Sequence, residues 1–486
     1  PPHARNGARE GDFLRCAVLR HPIRDGRPQA KVLRVFGAPG TPGLENAVTM
    51  DRHGIRPGWE AARERELGDR LAAVDPFSDS QRLDLTDLDF ISIDAARTQD
   101  IDDALYAETT ADGWNLYVAI ADPTTYLPAD SPLLSAVLAR ACSVYFHGDV
   151  APMLPDSLSK DTCALAEGQT RPALVCKMAV NDAGAITAFD FHESLVRSRA
   201  KLSYFAVSKY FAGEQDSLMS HASPLEALYA AYRALAAERE ASGLVMEERR
   251  EYRWQLDDSG QIENIEPGEK LVSQRLVEAC MVAANRCAGE FLRRHGASGP
   301  YISHPGFRAD RGRETREFLD RLLPEQRATD PTTLEGYRRI LRAVAEPGHR
   351  LPLRGMVNRL LTRATLSTQP APHMGMSLPV YTTCTSPLRR AVDLLVHLQL
   401  KALLHGREAT LVDATTLQTV SEGLARARAA TAEAERWLAA NFVERQAADA
   451  AAPWPARIVH ISSNGFVARL DAWGVDGFVD LREDAE

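Results

Sequence analysis

Four aspartates, Asp94, Asp100, Asp102 and Asp103, fall within ten residues, and apolar, strand-like runs flank them on both sides. Carboxylates crowded in this way repel one another, so the chain must leave them in water or supply a counter-charge. The run Leu88 to Asp94 reads as a strand. Asp103 to Glu108 and Trp114 to Ala121 read as a hairpin closed by Asp112-Gly113. The acids then lie on a loop leaving one strand and entering the next, and such a loop can fold back and make them converge. Hard oxygen ligands suit magnesium, which retains several waters, so one reading is a divalent-cation site for phosphate chemistry. The other is a solvated acidic loop, since the spacing differs from the EF-hand pattern.

The rest of the chain permits a large folded core. It has 486 residues, 45% of them apolar and 25% charged, which is ordinary globular composition with material for several domains. No apolar run has the length of a membrane span and no signal-like segment opens the sequence. A cytoplasmic address without a membrane partner is expected. Seven cysteines form no C-x-x-C pair, so neither a zinc site nor a disulfide framework is indicated. A net charge of -9 denies the chain a broadly basic surface, and any nucleic-acid site must be local.

The pattern of elements predicts an α+β fold. Phe13 to Leu19 and Ala30 to Phe36 read as a strand pair around Arg24-Asp25-Gly26, the tail of an OB- or cold-shock-like barrel over residues 1–45 whose start is missing. Residues 46–82, polar and charged, read as a connector. The unit from 83 to 452 carries the acidic loop and long helical patterns, among them Pro224 to Ser242 and Lys270 to His295, followed by Gly243 and Gly296. A helix from about Thr415 to Ala450 precedes three short strands, Ala456 to Ile461, Phe466 to Leu470 and Gly477 to Leu481. They read as the start of a second OB-type, RNA-binding barrel over residues 453–486, its end missing.

A second constellation lies in Tyr381-Thr-Thr-Cys-Thr-Ser386-Pro387-Leu-Arg389-Arg390. Serine is a natural N-cap and proline a natural first helical residue, which predicts a helix from here to about His405. Arg389 and Arg390 would then occupy its first turn, where the helix dipole disfavours cations. A phosphate held jointly by the helix end and the arginine fork removes the conflict. A salt bridge to an acidic loop removes it equally well.

These blocks together resemble the RNase II family of exoribonucleases. The stretch Asp84 to Asp94, the aspartates through Asp103 and Val118-Ala-Ile-Ala-Asp-Pro123 are similar to the opening of that family's catalytic, RNB-type domain. Ser386 to Arg390, with His373 and Tyr381 before it and Asp393 and His397 after it, is similar to its Thr-Ser-Pro-(Ile/Leu)-Arg-(Arg/Lys) signature. Pro152 to Pro155, Ala200-Lys201-Leu202 and His304 to Phe307 continue the agreement in order.

The resemblance implies a magnesium-dependent hydrolase, with manganese as a substitute, that degrades single-stranded RNA processively from the 3′ end to nucleoside 5′-monophosphates. It implies that Asp94, Asp100, Asp102 and Asp103 surround the metal, with Asp102 the carboxylate closest to the chemistry, and that Arg389 contacts the attacked phosphate. Tyr145 and Phe307 match aromatics that sandwich terminal bases, and Tyr204 matches a tyrosine farther along the RNA channel. Arg390 joins them as an RNA-binding residue, and no obligate protein partner is expected. Three positions depart from the family pattern. Thr365 and Thr431 stand where glutamates are expected, and Ala391 replaces an aromatic, which bears on substrate grip and sugar recognition. Two rivals remain, a catalytically silent RNA-binding protein and a phosphodiesterase acting on DNA.

Overall fold

The computed structural model describes residues 5–481 apart from 22, 24, 25, 215, 243–250, 347, 350, 352, 410, 411 and 449–452. Arg24-Asp25 of the first expected turn, Gly243 and the expected helix end at Ala450 lie outside the described residues.

The fold is α+β, as expected, and its centre is a sheet built around one long strand. Besides the two-residue strand Leu83–Asp84, it has five strands: β1 (Phe90–Asp94), β2 (Asp103–Thr110), β3 (Gly113–Ala121), β4 (Thr170–Asn181) and β5 (Ile186–Ser203). The first two thirds of β5, as far as Arg197, pair antiparallel with β4, and its last residues, from Ser198, pair parallel with β1. Since β1 pairs with β2, β2 with β3 and β3 with β4, the order of pairing returns to β5. The tight turn between β2 and β3 depends on Gly113, at φ 140°. A Cβ there would lie 2.2 Å from the carbonyl oxygen of Val180 on the neighbouring strand.

Both faces of this sheet are buried, which explains why Trp114 to Ala121 is apolar almost without interruption. Alternate residues enter different cores. Ile91, Leu105, Leu116 and Val118 join Leu276, Cys280 and Ala284 of helix α1 (Val272–Arg294). Phe90, Ala104, Tyr117 and Ala119 join Leu388, Leu394 and Leu395, the last two on helix α2 (Ala391–Leu404). The small face of α1 allows close approach, since a Cβ on Gly289 would lie 3.3 Å from the backbone of Tyr381 and Thr382. That contact seats the Tyr381–Arg390 segment between α1 and the sheet.

The flanks follow the expected pattern with shifts of one or two residues. The first strand pair runs Phe13–Arg20 against Gln29–Gly37. The segment read as a connector carries two helices, Leu44–His53 and Ala61–Ala73. Charged residues at helical spacing form their outer faces, while Leu44, Met50 and Leu67 turn inward. The first of them packs on the 35-residue helix α3 (Ala414–Ala448), where Asn441 donates to Glu45 at 2.8 Å. Beyond α3, Ala456–Ser462, Gly465–Leu470 and Val475–Asp480 form a three-stranded antiparallel sheet. Among the described residues, no helix is long and apolar enough to cross a membrane.

Candidate active site

Asp94 ends β1 and Asp103 begins β2, so the acidic loop is the connection between paired strands. Local bonds shape it. Asp94 Oδ1 accepts from the backbone of Ala95 at 2.6 Å and from Thr98 Oγ1 at 3.1 Å. Lys201, at the end of β5, donates to the carbonyls of Ala96, at 3.0 Å, and Thr98. The basic side chain thus secures the loop by its backbone rather than by its carboxylates.

Asp102 is 4% exposed, and both its oxygens are engaged from the other constellation. Leu388 N–H donates to Oδ1 at 3.0 Å and Arg389 Nε to Oδ2 at 2.8 Å. Burial lifts the Asp102 pKa to about 6 against the pull of Arg389. Asp103 has no such partner, and its Oδ2 is buried without a hydrogen bond. Burial, then the charges of Asp102 and Asp94, push it to about 8. This is a carboxylate cluster short of positive charge.

The arginines reach this cluster by a route the sequence did not indicate. The helix expected from Ser386 begins at Ala391, and Ser386 to Arg390 form a turn in which the N–H groups of Arg389 and Arg390 donate to Ser386 O. Arg390 is drawn out of the helix by an antiparallel bridge to Cys142. Neither arginine therefore sits in the helix's first turn. That place holds Asp393, fully buried, whose charge suits the dipole. Asp393 accepts from Ser386 N–H at 2.8 Å, Thr383 Oγ1 at 2.8 Å and Arg390 Nη2 at 2.6 Å. Of the two solutions to the charge conflict, this structure contains the salt bridges, Arg389 with Asp102 and Arg390 with Asp393.

Two of the expected aromatics border the acids. Tyr145, 47% exposed on the short strand Val144–Phe146, points its hydroxyl at Asp100 Oδ2, 3.4 Å away. Tyr204 follows β5, and burial, then the charges of Asp94 and Asp103, raise its pKa. Phe307 is 8% exposed and sits edge-on to Tyr337, 5.8 Å between centroids, within a separate small core.

The three departures have clear surroundings. Thr365 is exposed on a short strand beside Ser303, with 3.2 Å between their hydroxyls. The Thr431 hydroxyl bonds back to its own helix at Ala427 O. Ala391 is fully buried against Ala141, whose carbonyl accepts its N–H at 2.8 Å, so the site as packed has no room for a ring.

Sequence reasoning gave no role to Asp393, Lys201 or Asn285. Asn285 Oδ1 accepts from Cys384 N–H at 2.7 Å, and its amide reaches Tyr381 and Thr385. A signal existed for Asp393, an acid three residues after an arginine. None existed for Asn285, which meets its partners about a hundred positions away.

Among the described residues no three acidic, histidine or cysteine side chains stand close enough to hold a metal by themselves. The donor chemistry nevertheless fits a hard divalent cation. The oxygens are carboxylate, Asp103 Oδ2 is buried and unpartnered, and magnesium commonly binds through one or two carboxylates and several waters.

Clustered acids at the ends of paired strands face an arginine turn at the head of a helix, an arrangement suited to phosphate chemistry. An RNB domain model matches residues 82–406 and a cold shock domain model residues 1–60. Exoribonuclease 2 from Edwardsiella piscicida is 34% identical over 483 residues, 97% of this chain and 72% of the relative. RNase R from Mycoplasma genitalium, solved with ribose-methylated single-stranded RNA, superposes with a TM-score of 0.84 at 21% identity, over 99% of this chain and 76% of that one. Yeast Ssd1, described as a pseudonuclease, shares the fold with a TM-score of 0.71 at 16% identity, over 97% of this chain and 59% of its own. The chain belongs to the RNB-domain family of exoribonuclease hydrolases.

Proposed function

We propose that this chain hydrolyses single-stranded RNA processively from the 3′ end, releasing nucleoside 5′-monophosphates, with magnesium held by Asp94, Asp100 and Asp103 beside Asp102. The observation that carries the reading is the buried, unpartnered Asp103 oxygen among Asp94 and Asp102, next to an arginine that is 44% exposed. Magnesium bound there, or manganese in its place, would neutralise phosphate charge and acidify water. Asp102 holds the Arg389 guanidinium through Nε, and Ser386 Oγ accepts from Nη2 at 3.0 Å. The exposed part of the fork is left to meet a phosphate oxygen and stabilise charge as it develops. Arg390, turned onto Asp393, supports this turn and adds positive potential. Tyr145 and Tyr204 offer ring faces to bases at the acids, a mode tolerant of sequence. Phe307, nearly buried, supplies a wall rather than a stacking face. In the same proposal residues 83–452 form the catalytic unit, and the flanking segments belong to RNA-binding barrels.

One observation favours a second reading, that of a silent RNA-binding protein. Both Asp102 oxygens are already occupied, and no three acids converge among the described residues. A single experiment separates the readings: 5′-labelled RNA and DNA of matched sequence are incubated with the chain, with magnesium or with chelator. The proposal expects stepwise shortening of RNA from its 3′ end that requires the metal. RNA binding without hydrolysis establishes the silent reading, and equal cleavage of DNA removes the choice of RNA.

A further inference from the structure

A cleft of about 430 Å³ lies outside the acidic site, between the Gly54–Arg63 segment, the helix Pro132–Arg140, α3 and the back of the strand that carries Tyr145. Its volume falls in the range of small-ligand sites. The walls are mainly apolar, with Trp59, Ile55, Ala136 and Val144 among them, and four arginines stand around these walls. Two of the arginines are neutralised, Arg56 by Glu60 and Arg63 by Glu66, each at 2.9 Å.

Arg140 and Arg426 differ from that pair. Arg140 donates only to backbone carbonyls, those of Arg56 and Pro152 at 3.0 Å and that of Gly58. Arg426 donates to Ala139 O at 2.9 Å. No carboxylate of the described residues lies within salt-bridge distance of either. Arg140 also stacks over the Trp59 ring at 4.1 Å, and the buried indole Nε1 has no acceptor. Burial and the neighbouring Arg56 push the Arg140 pKa down to about 10 against the pull of Glu60 in the same wall. The cleft thus combines an apolar wall, an indole ring with one face covered by Arg140, and two guanidiniums with no carboxylate of the described residues in salt-bridge distance. Guanidinium forks match phosphate geometry, and an aromatic wall matches a base.

We propose that this cleft is a second, noncatalytic site that binds a free nucleoside 5′-monophosphate, phosphate toward Arg426 and Arg140 and base against Trp59. Its location gives the site a line to the candidate active site. Cys142, in the cleft wall, bridges Arg390, and the next N–H, that of Ser143, donates to Arg389 O at 3.0 Å. The inference rests on the cleft alone and stands whether or not the chain hydrolyses RNA.

The test is calorimetric titration of the full chain with AMP, adenosine and inorganic phosphate. It is run in chelator and on an Arg389→Ala background, so that the candidate active site contributes least. Saturable AMP binding is expected, with adenosine and phosphate each much weaker. Arg426→Glu should weaken AMP by about tenfold or more, the loss of one charge-assisted contact, with unchanged thermal melting. Trp59→Leu should weaken AMP and spare phosphate. In the chain with Arg389 intact, neither change should alter RNA hydrolysis measured without added nucleotide. Equal AMP affinity in Arg426→Glu overturns the proposal, as does adenosine binding as tightly as AMP or the absence of AMP binding at millimolar concentration. Should Trp59→Leu not fold, Arg426→Glu and the adenosine comparison decide.

Discussion

Asp103 and Asp122 lie at the same end of one hairpin, at the start of β2 and just past the end of β3, and are treated in opposite ways. Asp122 is fully buried, yet every oxygen has a partner. Lys401 Nζ donates at 2.7 Å and Thr125 Oγ1 at 2.8 Å to Oδ2, and Thr124 N–H donates at 3.1 Å to Oδ1. Burial alone would raise its pKa, but Lys401, His397 and Arg82 overrule it and hold the group well below the ordinary value. Asp103 receives two like charges where Asp122 receives a lysine. A buried charge that is matched serves the fold, whereas one left unmatched at the mouth of a site stores a demand for an external cation.

The largest test of this contrast is Asp102→Asn, which keeps the shape and removes charge from the unmatched cluster. Turnover should fall at least about a thousandfold, roughly 4 kcal/mol of barrier. RNA affinity, measured at equilibrium on the same preparation, should persist or tighten, because one like charge facing the phosphates is gone. Full activity in a well-folded variant would remove Asp102 from the chemistry. Asp122→Asn is the mirror experiment. It should cost about 3 kcal/mol in denaturant unfolding, since Lys401 loses its shorter ion pair, while turnover per folded molecule survives. The Asp122 pKa is depressed below 3.8, so its contribution is fully present above pH 3.8 and lost as pH falls through the folded value. Protonation of Asp122 itself should therefore add no step to the gap between wild type and Asp122→Asn from pH 8 to pH 5, and any change there reports the neighbouring His397.

Arg389→Lys probes the boundary between the two regimes, because Arg389 is shared by a buried aspartate and the open site. An ammonium cannot hold Asp102 and Ser386 while presenting a planar fork, so turnover should fall by roughly tenfold to a hundredfold without unfolding. Wild-type turnover would make the Ser386–Arg390 turn purely structural. The smallest effect is expected for Tyr145→Ala. Half exposed, its ring should contribute about 1 kcal/mol to capture of the RNA 3′ end, seen as weaker binding and earlier release of intermediate lengths. An unchanged product pattern would show that the ring faces no base.

Much of the frame was legible in the chain itself. Alternating and continuous apolar runs located β1 to β3, Asp112-Gly113 located their turn, and helical spacing located α1 and α3 to within a few residues, because these signals depend on near neighbours. The acidic loop was legible for the same reason, since four carboxylates on one short connection have nowhere to disperse. What the sequence could not reveal was the partner of each charge. Asp102 meets Leu388 and Arg389 across 286 and 287 positions, and nothing near Asp102 announces them. The start of α2 was misplaced because the local capping preference of Ser386-Pro387 lost to the bridge between Arg390 and Cys142. Phe307 was matched as a stacking ring, and only packing shows it nearly buried beside Tyr337. Local chemistry determined which elements form and where the acids gather. Tertiary structure decided which of the buried charges are satisfied, because burial and counter-charge are set by residues that meet only when the sheet, α1 and α2 close on one another.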